Sequence, residues 1–83
     1  MNPPLSHQLY RPRPAEVRCG PDGVPVAVGG RQVEELLEGW LVEDRWWTGR
    51  PLRRRYFELL LETGATKVVF RDLRSDEWME QRD

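Results

Sequence analysis

The stretch that decides the fold comprises residues 54–62 and reads R-R-Y-F-E-L-L-L-E. Phe57, Leu59 and Leu61 fall at every second position of this stretch. The intervening positions form the other face and hold Tyr56, Glu58, Leu60 and Glu62. Successive side chains of a β-strand point to opposite faces of the sheet, so the spacing predicts a strand with one face toward a core.

Two further strands are predicted downstream of this stretch. Residues 67–73 are rich in β-branched and aromatic side chains around Val69, and residues 77–81 form a short closing strand that buries the Trp78 ring. A glycine-containing turn and an Arg-Ser-Asp turn separate the three strands. The three strands therefore form an antiparallel meander.

A β-hairpin is predicted upstream. Residues 15–18 and 24–28 are short runs of β-type composition, and the segment between them contains the sequence G-P-D-G. Glycine, proline and aspartate are the residues that tight turns require. The proline-rich residues 1–14 precede the hairpin as an extended arm, and residues 15–83 form a single small β-domain.

Residues 31–43 are ambiguous between helix and strand. Five apolar side chains recur at the spacing of an amphipathic helix, namely Val33, Leu36, Leu37, Trp40 and Leu41. Gly39 would weaken a helix interior, and the neighbouring strands favour a strand here as well. We therefore predict a mainly β fold, a small antiparallel sheet or half-closed barrel of about five to six strands. One short helix near residues 31–38 stays as the alternative.

Composition limits the classes of function. The chain has 83 residues, enough for one domain, and a formal net charge of -1 at pH 7. The whole-molecule field is therefore weak, and nucleic-acid binding would need a local basic patch. The single cysteine, Cys19, leaves no disulfide framework and indicates a reducing cytoplasm. No apolar run approaches the roughly 20 residues of a membrane span.

No catalytic or metal-binding constellation is visible in the sequence. The only histidine, His7, lies in the predicted arm, and Cys19 has no neighbouring base. Adjacent carboxylates such as Glu34 and Glu35 lie on polar faces or beside turns, whereas a two-carboxylate acid–base site needs an apolar setting. We therefore predict no enzyme activity, no cofactor and no metal.

Arginine and aromatic side chains are concentrated between residues 40 and 57. This segment holds three of the four tryptophans, and no carboxylate occurs from position 45 to position 57. Trp and Arg dominate the energetics of protein interfaces, and the same pair also stacks bases and contacts phosphates. We predict one exposed binding surface that consists of Arg45, Trp46, Trp47, Arg50, Arg53, Arg54, Arg55 and Tyr56, together with Arg71 of the next strand.

A purely structural role for this segment is the competing interpretation. Arg53 and Arg55 would then form ion pairs across a hairpin, and the two neighbouring indoles would divide between core and surface. The carboxylates within reach are Glu43, Asp44 and Glu58. In either case Arg54 should point away from Arg53 and Arg55, because side chains alternate along a strand.

Several short motifs occur in a fixed order along the chain. They are Arg11-Pro12, Pro14, Val17, Asp22-Gly23, Pro25, Trp40, Val42, Trp46-Trp47, Arg54-Arg55-Tyr56-Phe57, Gly64, Phe70-Arg71-Asp72 and Trp78. Their order resembles the small C-terminal domain of ImuB-like proteins, the Y-family polymerase-like subunit of the bacterial mutasome. The resemblance covers residues 9–81, and the tandem tryptophan followed by the Arg-Arg-Tyr-Phe run is its most specific part. The chain differs in lacking a polymerase body and in its W-M-E-Q ending, where the longer proteins have W-Y-L-H-G.

The resemblance implies a role in inducible, error-prone translesion synthesis, in which this region contacts other repair proteins and performs no chemistry. We therefore predict a non-enzymatic accessory domain that docks onto a protein of a DNA-repair or translesion-synthesis assembly. The alternative is a module that binds single-stranded nucleic acid through the same arginine and tryptophan surface.

Overall fold

The computed structural model describes residues 12–44 and 52–81. Seven strands make up its regular structure: β1 (Arg13–Pro14), β2 (Val17–Cys19), β3 (Pro25–Val28), β4 (Arg31–Asp44), β5 (Leu52–Leu61), β6 (Thr66–Asp72) and β7 (Glu77–Gln81). Neighbouring strands are antiparallel in the order β1-β7-β6-β5-β4-β3-β2, and the sheet curls into a half-barrel. The predicted mainly β fold is therefore confirmed.

The described chain contains seven strands, one more than the upper predicted number. The additional strand is β1, because Arg13 and Pro14 pair with Glu80 and Met79 of β7. No residue within 12–44 or 52–81 is helical, so these ranges contain no helix that could cross a membrane.

Residues 31–38 form the first half of β4, and the helical alternative for them is wrong. Irregularities in the β4–β5 register place two extra residues, Glu34 and Leu37, in β4. Each such bulge shifts the alternation of side chains by one position. Two shifts within a few residues give apolar side chains the spacing of a helix, although the backbone is extended throughout.

The core lies on the inner face of the curled sheet. Phe57, Leu59 and Leu61 of β5 are buried there, as their alternation predicts, and Val28 and Val69 pack against them. Three further valines and Trp78 border this cluster. The indole of Trp78, predicted to be buried, is only partly so, and its ring centroid lies 5.7 Å from that of Phe57.

Two tight turns fix the position of the β2–β3 hairpin over the inner face. Asp22 accepts a hydrogen bond from the backbone N–H of Val24 at 3.0 Å, which closes the turn between β2 and β3. Gly29 and Gly30 join β3 to β4 with φ values of 57° and 82°. Two consecutive positive φ values suit the two-residue loops that match the twist of a hairpin, and glycine adopts them without steric cost.

The segment from β1 to β2 connects the two ends of the sheet. The N–H of Ala15 donates to the carbonyl of Trp78 in β7 at 3.1 Å, and the N–H of Gly29 donates to the carbonyl of Glu16 at 2.8 Å. Residues 13–19 therefore contact both β7 and the β3 end of the hairpin, which holds the curled sheet over its core.

We expect Leu59→Ala to lower the free energy of unfolding by about 2–5 kcal/mol, because the side chain is fully buried. The matched variant Leu37→Ala removes a side chain that is 43% exposed and should cost at most about 0.5 kcal/mol. Urea denaturation followed by tryptophan fluorescence measures both values. Equal losses for the two variants would contradict the placement of the core on the inner face.

Candidate binding groove

Three arginines come together on the inner face, beyond the end of the core. Arg53 and Arg55 precede Phe57 on the same face of β5, and Arg71 of β6 lies directly opposite Arg55 in the register. The three side chains line an open groove of about 390 Å³, to which the buried Phe57 also contributes. We call this feature the arginine groove, and Arg53, Arg55 and Arg71 are its cations.

The other residues of the arginine groove come from the β2–β3 turn, from β4 and from the position that follows β6. They are Asp22, Gly23, Val24, Leu41 and Leu73. Asp22 is the only carboxylate among these lining residues, so the lining has a net positive charge. An apolar floor and a cationic rim are suited to an anionic group carried on an apolar or extended segment.

Two of the three groove cations are engaged by carboxylates of the chain itself. Nε of Arg53 lies 2.8 Å from a carboxylate oxygen of Glu43, and Arg71 contacts Asp76. All four side chains are at least 40% exposed, and an exposed ion pair contributes only about 0–1 kcal/mol. A ligand carboxylate can therefore replace either partner at little cost.

Arg55 is the groove cation that has no counter-ion within residues 12–44 and 52–81. Its side chain is exposed and forms no ion pair with any residue of the described ranges. The predicted structural role, ion pairing with a nearby carboxylate, is thus confirmed for Arg53 but not for Arg55. Because like charges directly opposite each other destabilise a sheet, the pair of Arg55 and Arg71 would gain from an anion bound between them. The planar guanidinium fork fits carboxylate or phosphate oxygens.

Cys19 lies within electrostatic range of the arginine groove. Partial burial raises the pKa of its thiol, the positive charge of Arg71 lowers it, and the negative charge of Asp22 raises it. The net effect is a raised pKa, which is the opposite of what a cysteine nucleophile needs. In the part of the chain that the structure describes, no three side chains of His, Cys, Asp or Glu come together as metal ligands.

Arg54 and Tyr56 lie on the outer face of the sheet, on the opposite side from the groove. The Tyr56 ring stacks on Trp40 at 5.2 Å and contacts Phe70 at 4.9 Å. The guanidinium of Arg54 lies 4.5 Å above the Phe70 ring, and one of its nitrogens is 3.3 Å from the Tyr56 hydroxyl. Such a cation–π contact stabilises the outer face, so Arg54 has a packing role here.

The predicted binding residues therefore divide into three groups. The structure brings Arg53, Arg55 and Arg71 together in the groove and places Arg54 and Tyr56 on the outer face, with Arg54 turned away from its neighbours as predicted. The remaining four predicted residues lie outside the described ranges: Arg45, Trp46, Trp47 and Arg50.

Sequence reasoning did not single out Leu41 or Asp22 as groove residues. Leu41 lies directly across from Arg55 in the β4–β5 register, and Asp22 comes from a turn more than thirty positions away in the chain. The register places Leu41 beside Arg55, but it could not be assigned while residues 31–43 were ambiguous between helix and strand. The approach of the turn to β5 depends on the curl of the sheet and leaves no local signal.

Comparison of the chain with protein-family models, with curated proteins and with solved structures gave no significant match.

We expect the alkylation of Cys19 by iodoacetamide to report the charges in the groove. Arg71→Gln removes a positive charge that lowers the thiol pKa, so the midpoint of the rate–pH curve should rise. Asp22→Asn removes a negative charge that raises the thiol pKa and should lower the midpoint, while the new amide oxygen can still accept the Val24 hydrogen bond. Shifts of the same sign in both variants would contradict this geometry.

Proposed function

We propose that this chain is a non-enzymatic interaction domain that docks onto a protein partner through the arginine groove. The observation that carries the proposal is Arg55. It is an exposed cation with no counter-ion among the described residues, and it lies directly opposite the like-charged Arg71 and beside Arg53. A site with this arrangement gains stability when a partner supplies an anion, because repulsion is relieved and charge-assisted hydrogen bonds form.

The charges around the groove favour a short acidic peptide segment over a polyanion. Glu43 and Asp76 already contact two of the groove cations, so carboxylates fit the site. With Asp22 in the lining, these carboxylates also repel a continuous phosphate backbone. One or two carboxylates on an extended segment need only reach Arg55 and Arg71, whereas a polyanion would also bring charges close to Glu43, Asp76 and Asp22.

The class of partner follows from the resemblance to ImuB-like proteins. The Arg-Arg-Tyr-Phe and Phe-Arg-Asp motifs that carry the resemblance supply Arg55, Phe57 and Arg71, which line the arginine groove. This coincidence supports a partner within a bacterial DNA-repair or translesion-synthesis assembly of the cytoplasm. The groove would then act as an adaptor and perform no chemistry of its own.

Single-stranded nucleic acid is the second candidate ligand, because three clustered arginines also suit phosphates. Nucleic-acid surfaces of this kind combine such cations with aromatic rings on which bases stack. The described rings that are accessible beside the cationic strand, Trp40 and Tyr56, stack on each other on the outer face. In the described part of the groove the one lining ring, Phe57, is buried, so phosphate contacts come without an accessible stacking ring, which favours the protein partner.

The proposal is tested by affinity capture from a bacterial lysate with the wild-type chain and two charge-reversed variants. Mass spectrometry should identify repair or translesion-synthesis proteins captured by the wild-type chain, and the Arg55→Glu variant should no longer capture them. Arg31→Glu, which makes the same charge change at an exposed site outside the groove, should keep them. Each captured protein is then purified, and its affinity is measured by calorimetry, where we expect a loss of at least about tenfold for Arg55→Glu.

Capture of proteins unrelated to DNA repair would contradict the assigned partner class, and equal capture by the two variants would contradict the groove. Fluorescence anisotropy with labelled single-stranded DNA separates the second candidate. If DNA binds at about 50 mM salt and is released steeply at about 200 mM, phosphate contacts dominate and the nucleic-acid function replaces the protein-docking one.

We also expect Asp76→Asn to tighten the binding of a glutamate-rich synthetic peptide by a factor of about two to five. The change releases Arg71 from its carboxylate partner, and asparagine tolerates the positive φ of 66° at this position. The neighbouring variant Glu77→Gln removes the same charge outside the groove and should leave the affinity unchanged. Calorimetric titration measures both, and equal affinities for the two variants would exclude competition by Asp76.

A further inference from the structure

Over most of its length, β4 has one edge with which no described strand pairs. β5 pairs with β4 from Val33 to Asp44, whereas β3 pairs with only Arg31 and Gln32. No strand within residues 12–44 and 52–81 pairs with the other edge of β4 beyond Gln32. An unpaired edge presents backbone N–H and C=O groups that can pair with a strand of another molecule.

Apolar side chains are exposed along the same strand. Five large apolar side chains of the described chain are exposed, and four of them belong to β4: Leu36, Leu37, Trp40 and Leu41, at 41%, 43%, 37% and 45%. Exposed apolar groups that cluster on one element mark interaction surfaces more often than groups scattered singly. The free edge and the exposed apolar groups therefore coincide.

The charge of β4 selects against pairing with a second copy of itself. Residues 32–44 contain five carboxylates and no Lys, Arg or His: Glu34, Glu35, Glu38, Glu43 and Asp44. Antiparallel pairing of two such strands would bring carboxylates close to one another, and like charges across a strand pair are destabilising. The same carboxylates would attract a strand that carries cations.

The two bulges confine regular pairing to the second half of β4. The extra residues Glu34 and Leu37 interrupt the first half, whereas residues 38–44 pair with β5 without a register shift. Bulges discourage edge-to-edge pairing by bending the strand. Residues 38–44 are therefore the part of the edge that can accept an added strand.

We propose that residues 38–44 bind an extended segment of a partner protein as an added β-strand with two adjacent apolar residues flanked by basic ones. The apolar residues would lie beside Trp40 and Leu41, and the basic residues beside Glu38 and Glu43. This order follows directly from the order of side chains along β4. This surface is distinct from the arginine groove, because it is negatively charged and binds through the backbone edge of β4.

The probe is a synthetic peptide with the central sequence K-T-V-V-T-K, used with the full-length chain. Nuclear magnetic resonance titration should shift the backbone amides of residues 38–44, with a dissociation constant on the order of 1 mM or lower. Glu38→Lys should weaken binding by about tenfold, because it places like charges beside the peptide lysine. Glu34→Lys makes the same charge change at the exposed bulge and should leave the affinity for the peptide unchanged.

Two N-methylated versions of the peptide test for strand addition. The two versions carry their N-methyl groups on complementary sets of alternate residues. Only every second N–H of an added strand points toward β4, so only one version blocks these N–H groups. One version should lose binding and the other should keep it. Equal binding of both versions, or equal binding of an E-T-V-V-T-E peptide, would overturn the proposal. So would concentration-dependent dimerisation that protects the amides of residues 38–44 without peptide, because a second copy would then be the occupant.

Discussion

The alternation of side chains along β5 is the constraint on which both the core and the groove depend. The inward row of this strand runs from Arg53 and Arg55 to Phe57, Leu59 and Leu61. The last three positions are buried beneath the β2–β3 hairpin, and the first two lie in the groove beside the turn of this hairpin. Because the period of two is fixed by backbone geometry, the arginines cannot leave the groove without turning the core residues outward. Folding and the display of cations are therefore coupled within one strand.

The parts of the fold that were predictable are those with local signals. The alternation in β5 and the glycine-containing turns placed three strands and a hairpin nearly at their observed bounds. The strand character of residues 31–38 was ambiguous, because the bulges at Glu34 and Leu37 give the apolar side chains of a strand the spacing of a helix. For the candidate site, the position of Arg54 on the face opposite Arg53 and Arg55 followed from the same alternation. The contribution of the β2–β3 turn to the arginine groove could not be predicted, because it depends on the curl of the whole sheet.

The small net charge of the chain conceals two surfaces of opposite sign. Cations line the arginine groove, and carboxylates dominate residues 32–44 of β4. The two surfaces adjoin at Leu41, which lies across from Arg55 and lines the groove. Under both proposals, a partner that carries an acidic segment and a basic, apolar segment could occupy the two surfaces together. Two weak contacts joined in one partner give an avidity that neither surface provides alone.

The pairing of β1 with β7 has a consequence for the order in which the chain folds. Arg13 and Glu80 are distant in sequence, yet their strands are hydrogen-bonded neighbours, so this contact closes a loop that includes almost every described residue. Non-local pairings of this kind slow folding, because loop entropy is lost before the contact can compensate for it. The β4–β6 ladder closes only short loops, so it can form before β1 reaches β7. We therefore expect the pairing of β1 with β7, which completes the half-barrel, to form last.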